Sequence, residues 1–123
     1  MSSLLPKPTE ISGTTAVAGA ATETTINVGR STTTMVKINR VQIKRTAGAA
    51  ANFTPLIGNV AAFTAAGTNQ KWAGAATAVA NLLDVTNQEG WTTTDSSGNL
   101  YFRPVPDAGV NNTFNYCISL EIY

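Results

Sequence analysis

"FNYCISLEIY", Phe114 to Tyr123, sets Phe114, Tyr116, Ile118, Leu120 and Ile122 in strict alternation against Asn115, Cys117, Ser119 and Glu121. Successive side chains of an extended chain point to opposite faces, so a two-residue period of this kind is a half-buried β-strand. Upstream, "GWTTTDSSGNLYFRP" holds two further β-type runs, Trp91 to Thr94 and Asn99 to Arg103. "DSSG" joins them as a hairpin: Asp and Ser bond the local backbone, and Gly98 can take the positive φ that a tight turn requires. Pro104 and Pro106 are expected to stop the second strand, "PDAG" to turn the chain, and Asn111-Asn112 to continue the loop.

Further out lies "VKINRVQIKR", Val36 to Arg45, which carries four of the chain's eight cations. Val36 and Ile38 share one face, and Val41 and Ile43 keep the two-residue period, but the phase slips by one across Asn39 and Arg40. A β-bulge there would add one residue and return all four aliphatic side chains to one side, leaving Lys37, Gln42 and Lys44 on the other.

In "TAGAAANFTPLIGNVAAFTAAG", Thr46 to Gly67, the small residues around Gly48 predict a loop, and Phe53 to Phe63 is an apolar run cut by Pro55 and Gly58. A proline in a strand pattern points to an edge or bulged position. In "NQKWAGAATAVANLLDV", Trp72, Ala76, Val79 and Leu83 recur at helical spacing, but Gly74 and the β-branched residues disfavour a helix, and a short strand is expected around Leu82 to Thr86. Residues 1–34 are small and polar, with only "TTINV", Thr24 to Val28, reading as a strand. They are expected to form an extended or disordered N-terminal arm, one able to order on a neighbouring subunit, ahead of a body over 35–123.

Seven or eight short strands, with turns between them and no repeated helical pattern, predict an all-β fold, an antiparallel β-sandwich or small barrel. Trp91, Phe102, Phe114 and Tyr116 are expected to be the largest contributors to its core.

The residue inventory narrows the chemistry. The 123 residues suit one domain. Histidine is absent and Cys117 is the only cysteine, which removes internal disulfides, Cys/His zinc sites and histidine-based triads from consideration. The seven acids, Glu10, Glu23, Asp84, Glu89, Asp95, Asp107 and Glu121, are spread singly, without the pairing of a carboxylate acid/base site or the alternation of a calcium loop. No phosphate-binding or dinucleotide fingerprint occurs. No catalytic residue, metal or cofactor is therefore expected, and the chain reads as a non-enzyme. The N-terminus lacks the pattern of a secretory signal, and no apolar run of about 18 residues predicts a membrane span.

The local charge feature is the cluster Arg30, Lys37, Arg40, Lys44 and Arg45. A net charge of +1 and the absence of aromatic residues among these cations argue against specific nucleic-acid binding. Two readings stay open: a solvated outer face, and a subunit contact to an acidic neighbour.

The chain from about Met35 to Tyr123 resembles small virion proteins of tailed bacteriophages, the capsid decoration or cement proteins and related head-fibre modules. The residues that carry the resemblance are "VKINRVQIKRTAGAAANFTPLIGN", "SSGNLYFRPVPDAG" and "NNTFNYCISLEIY". It implies a jelly-roll-like β-sandwich placed on the exterior of the virion, binding the major capsid protein and bridging capsomers, often as a homotrimer. It transfers no active-site residue. The alternative is a fibre or tail-associated sandwich that binds host glycans or another virion protein.

Overall fold

The computed structural model describes residues 6–18, 23–61, 70–79, 83–107 and 109–123. Among these residues ten strands form two antiparallel sheets: β1 (Lys7–Ala18), β2 (Thr24–Asn27), β3 (Met35–Gly48), β4 (Asn52–Gly58), β5 (Gln70–Ala73), β6 (Thr77–Ala78), β7 (Asp84–Thr86), β8 (Gly90–Thr93), β9 (Asn99–Pro106) and β10 (Asn111–Ile122). Sheet I has the order β1-β10-β3, with β7 and β8 both on the far side of β3. Sheet II has the order β2-β9-β4, with β5 and β6 both on the far side of β4. If β5 and β6 are taken as one interrupted strand, and β7 and β8 as another, eight strand positions remain. Their order, 1-8-3-6 facing 2-7-4-5, is that of a double Greek-key jelly roll. The ten segments exceed the seven or eight expected because β1, β5 and β6 were not anticipated.

Both breaks have causes legible in the sequence. The bulge on β3 falls where predicted: Arg40 pairs with Ser119 and Ile38 with Leu120, which leaves Asn39 as the extra residue. Val36, Ile38, Val41 and Ile43 are all buried on the inner face as a result. β8 pairs with Met35 to Ile38 and β7 with Val41 to Ile43, so the neighbouring strand is interrupted at the bulge. Pro55 acts similarly on sheet II. β4 is an interior strand where an edge or bulged position was expected, and β5 meets only Leu56 to Gly58, with a register shift between Ile57 and Gly58, and β6 only Asn52 and Phe53, so the strand beside Pro55 is interrupted. On its other side Pro55 faces Pro104. Two residues without N–H groups are compatible with a non-hydrogen-bonded pair, in which both nitrogens point outward.

That pairing also explains why Pro104 and Pro106 do not stop the strand. β9 continues to Pro106, beyond Thr24–Phe102, where its pairing with β2 ends, so the proline nitrogens deprive no described ladder partner. Asn111 and Asn112, expected in a loop, begin β10 instead, because β1 extends far enough to pair with them. The segment 70–79 is extended rather than helical, and β7 falls within the strand expected around Leu82 to Thr86; Leu82 and Phe63 lie outside the described residues. In 1–34, where one short strand was expected, β1 and β2 contribute a strand to each sheet.

The core lies between the sheets. Phe53 on β4 meets Phe114 on β10 edge to face, with centroids 4.6 Å apart, and Phe102 on β9 meets Tyr116 on β10 at 5.1 Å. Trp72 on β5 is also buried, and its indole N–H donates to the Gln88 carbonyl at 3.2 Å. A Cβ on Gly90 would collide with the Trp72 ring, so the bare backbone there is a packing requirement. Trp91 is the expectation that fails: it is 53% exposed. The register of β8 sends Thr92 and Thr94 inward instead, and Thr94 is satisfied there because its hydroxyl accepts from the Thr34 N–H and donates to the Asp95 carbonyl, both at 2.9 Å.

Candidate functional site

The outer face of sheet I is built from the polar phase of the same alternations that bury the core. β10 presents Asn115, Cys117, Ser119 and Glu121, β1 presents Ser12 and Thr14 opposite them, and β3 presents Lys37, Arg40, Gln42 and Lys44. Two regions of this face have distinct character.

At one end is an aromatic platform. Trp91 pairs with Lys37 across β8 and β3, and Met35 lies two residues before Lys37 in the same outward phase. Tyr123 follows β10, held by a 3.0 Å bond from its N–H to the Met35 carbonyl. The Trp91 and Tyr123 rings are 5.0 Å apart, and Met35, Trp91 and Tyr123 are all exposed. Lys37 stands 5.9 Å from the Trp91 ring centroid, with its ammonium 3.4 Å from Glu89 and 3.9 Å from Glu121. A shallow depression of about 330 Å³ adjoins the platform and is lined by Met35, Lys71 and Trp91 to Thr93.

Further along, the sheet carries an open concavity of about 480 Å³ of mixed character, lined by Ser12, Thr14, Gln42, Lys44, Leu83 and Tyr116 among others. The Thr14 hydroxyl donates to the Asn115 side-chain oxygen at 2.9 Å.

The five cations singled out in the sequence are not gathered at one point. Lys37 is engaged by acids of its own chain, beside the platform. Arg40 is exposed at the bulge and Lys44 borders the concavity, about 20 Å from Lys37 at the usual rise per residue. Arg45 is turned back onto its own strand, where its guanidinium donates to the Gly48 carbonyl and its charge acts on Asp84. Arg30 is exposed in the β2–β3 connection, donating to the Gly29 carbonyl.

Several of the acids have structural partners. Asp95 organises the β8–β9 turn: one carboxylate oxygen accepts the N–H groups of Ser97 and Asn99, both at 2.9 Å, and the other accepts the Tyr101 hydroxyl at 2.7 Å. Those bonds hold its pKa below the ordinary 3.8. Glu23 pairs with Arg103 at 3.4 Å beside sheet II. Burial pushes Asp84 up, partly offset by Arg45. Among the described residues, no three His, Cys, Asp or Glu side chains are close enough to hold a metal ion, and no helix is long and apolar enough to cross a membrane.

The platform was missed by the sequence reading, although part of its signal was present. Tyr123 continues the outward phase of Asn115 to Glu121, and Met35 shares the phase of Lys37. Trp91 could not be placed, because "GWTTTD" is acceptable in either phase until its partner strand is known. Comparison with protein-family models finds no match for this chain, and none is found among curated proteins.

Proposed function

We propose that the protein is a structural component of a phage virion, docking on the outside of the capsid through the Trp91 end of sheet I and stabilising the shell. The observation that carries this reading is the exposed platform of Trp91, Tyr123 and Met35. Three large apolar side chains grouped in water mark an interaction surface rather than a scatter of single residues. Trp, Tyr and Met are the residue types enriched at protein interfaces, and Lys37, Glu89, Glu121 and Lys71 supply the polar rim that such a centre requires. The jelly roll fits a capsid partner by analogy, since capsid proteins use it widely, but the fold alone assigns no function. Binding preferentially to the assembled shell would stabilise it by mass action.

The test is co-sedimentation of wild-type and Trp91→Ala protein with purified shells. Trp91 is exposed, so the variant should melt as wild type does, while its affinity falls at least about thirtyfold, the effect of losing a hot spot of about 2 kcal/mol. Undiminished binding overturns the docking face. Lys44→Glu addresses the second region: lost binding with unchanged folding places an acidic partner against the concavity, and no effect leaves Lys44 in water.

A second reading, a fibre module that binds glycans, is favoured by the same rings, because two open aromatic faces flanked by Glu89 and Lys71 are also suited to stacking on a sugar. Soluble oligosaccharides that bind wild type and fail to bind Trp91→Ala would select it.

A further inference from the structure

The exposed strand edges of the two sheets are unequal. On sheet I the far edge is divided between β7 and β8, of 3 and 4 residues, and on sheet II the edges are β2, β5 and β6, of 4, 4 and 2 residues. Short, interrupted edges are a common way in which folded proteins avoid pairing with other chains. β1 departs from this pattern. It has 12 residues and pairs with β10 from Lys7–Ile122 to Ala18–Asn111 without a register shift, so no bulge twists it away. Among the described residues it pairs with β10 alone, which leaves its other side an open row of backbone donors and acceptors. Pro8 and the charges of Lys7 and Glu10 guard only its first turn of sequence, whereas "ISGTTAVA", Ile11 to Ala18, has neither charge nor proline.

We propose that β1 is a strand-addition site for a second copy of this chain, the two β1 strands pairing antiparallel about a two-fold axis to join their two copies of sheet I. Matching length points to this occupant. β3 and β10 are the other strands of 12 residues or more, and both are already paired on each side, so β1 of another copy is the one described strand that is long enough and has a free edge. The two-fold is self-consistent. With the inner faces on one side, residues of like phase oppose each other, so the pair centres on Ser12 or on Gly13. In either register Glu10 meets an uncharged residue, Thr14 or Ala16, and no like charges are opposed. The proposal does not depend on the capsid reading, and it specifies a dimer where the resemblance implies a trimer.

Sedimentation equilibrium of the full chain over a concentration series, with amide exchange of residues 7–18, tests the pairing. Wild type should form dimers, with β1 amides that exchange more slowly as concentration rises. Ser12→Glu/Thr14→Glu, both at exposed positions, puts like charges across the seam in either register, with residue 14 facing Glu10 in the first and residue 12 facing residue 14 in the second, and should weaken dimerisation by about tenfold or more with an unchanged melting temperature. Asn115→Lys, on the same face but one strand in from the edge, should leave the dimer intact. A monomer at all concentrations, an oligomer indifferent to the double variant, or equal disruption by Asn115→Lys each overturns the proposal; so does protection of β1 that appears only on adding shells, which would give the edge to a different chain.

Discussion

Asp95 and Phe114 illustrate how single side chains hold the sandwich. The Asp95 carboxylate accepts three hydrogen bonds, from Ser97, Asn99 and Tyr101, and they favour its charged form, so its folded pKa lies below the ordinary 3.8. A depressed carboxylate contributes stability that is present above the unfolded pKa and is lost as pH falls through the folded one. Thermal melts of wild type should therefore decline as pH drops below about 4, and Asp95→Asn, which cannot ionise, should show a flatter decline over the same window. Phe114 is fully buried against Phe53, so Phe114→Ala should cost about 3 to 5 kcal/mol in denaturant unfolding, and an unchanged midpoint would remove it from the core. Phe114 and the turn at "DSSG" were legible because alternation and turn chemistry are local, and Gly98 has the positive φ expected of it, 79°; the hairpin expected around that turn is not formed, because β8 pairs with β3 in sheet I while β9 lies between β2 and β4 in sheet II. Trp91 was not, because its side of the sheet depends on pairing with β3, a contact more than fifty residues away in sequence. Size suggested burial, and register decided exposure.

Among the strands, the clearest sequence signals were interruptions. The slip in "VKINRVQIKR" became the bulge at Asn39, and Pro55 marked the break between β5 and β6. What was not legible was that each irregularity would be absorbed by a break in the adjacent strand, nor that β1, β5 and β6 would form. A sharp asymmetry follows for β3. Deleting Asn39 removes the extra residue and leaves Ile38, Arg40, Val41, Gln42 and Ile43 in regular alternation, so that variant should fold, with a midpoint near that of wild type. Deleting Gln42 instead makes Val41 and Ile43 neighbours, and one must leave the core at a cost of about 1.5 to 3 kcal/mol. Chemical denaturation of the two deletions checks this, and equal loss from both would mean that the bulge does not set the phase. β1 was illegible for a different reason: "KPTEISGTTAVA" has few large apolar residues, and its strand state comes from backbone pairing with β10 rather than from its own pattern.

At the scale of the whole molecule, composition and periodicity identified a sandwich, and the strand order makes it a jelly roll with β1 and β2 built into its two sheets. The cations that drew attention in the sequence are dispersed, and the exposed platform of Trp91, Tyr123 and Met35 lies at the end of the outer face of sheet I where Lys37 is already neutralised by Glu89 and Glu121. Apolar contact framed by polar groups is therefore proposed as the mode of docking, with bulk charge in a minor role. Electron cryo-microscopy of virions with and without this protein tests that proposal most directly. The prediction is added density on the outer shell surface, into which the sandwich fits with Trp91 and Tyr123 against the capsid and sheet II toward solvent. Identical maps, density confined to the tail or fibres, or a sandwich seated with its Trp91 end facing outward would contradict it.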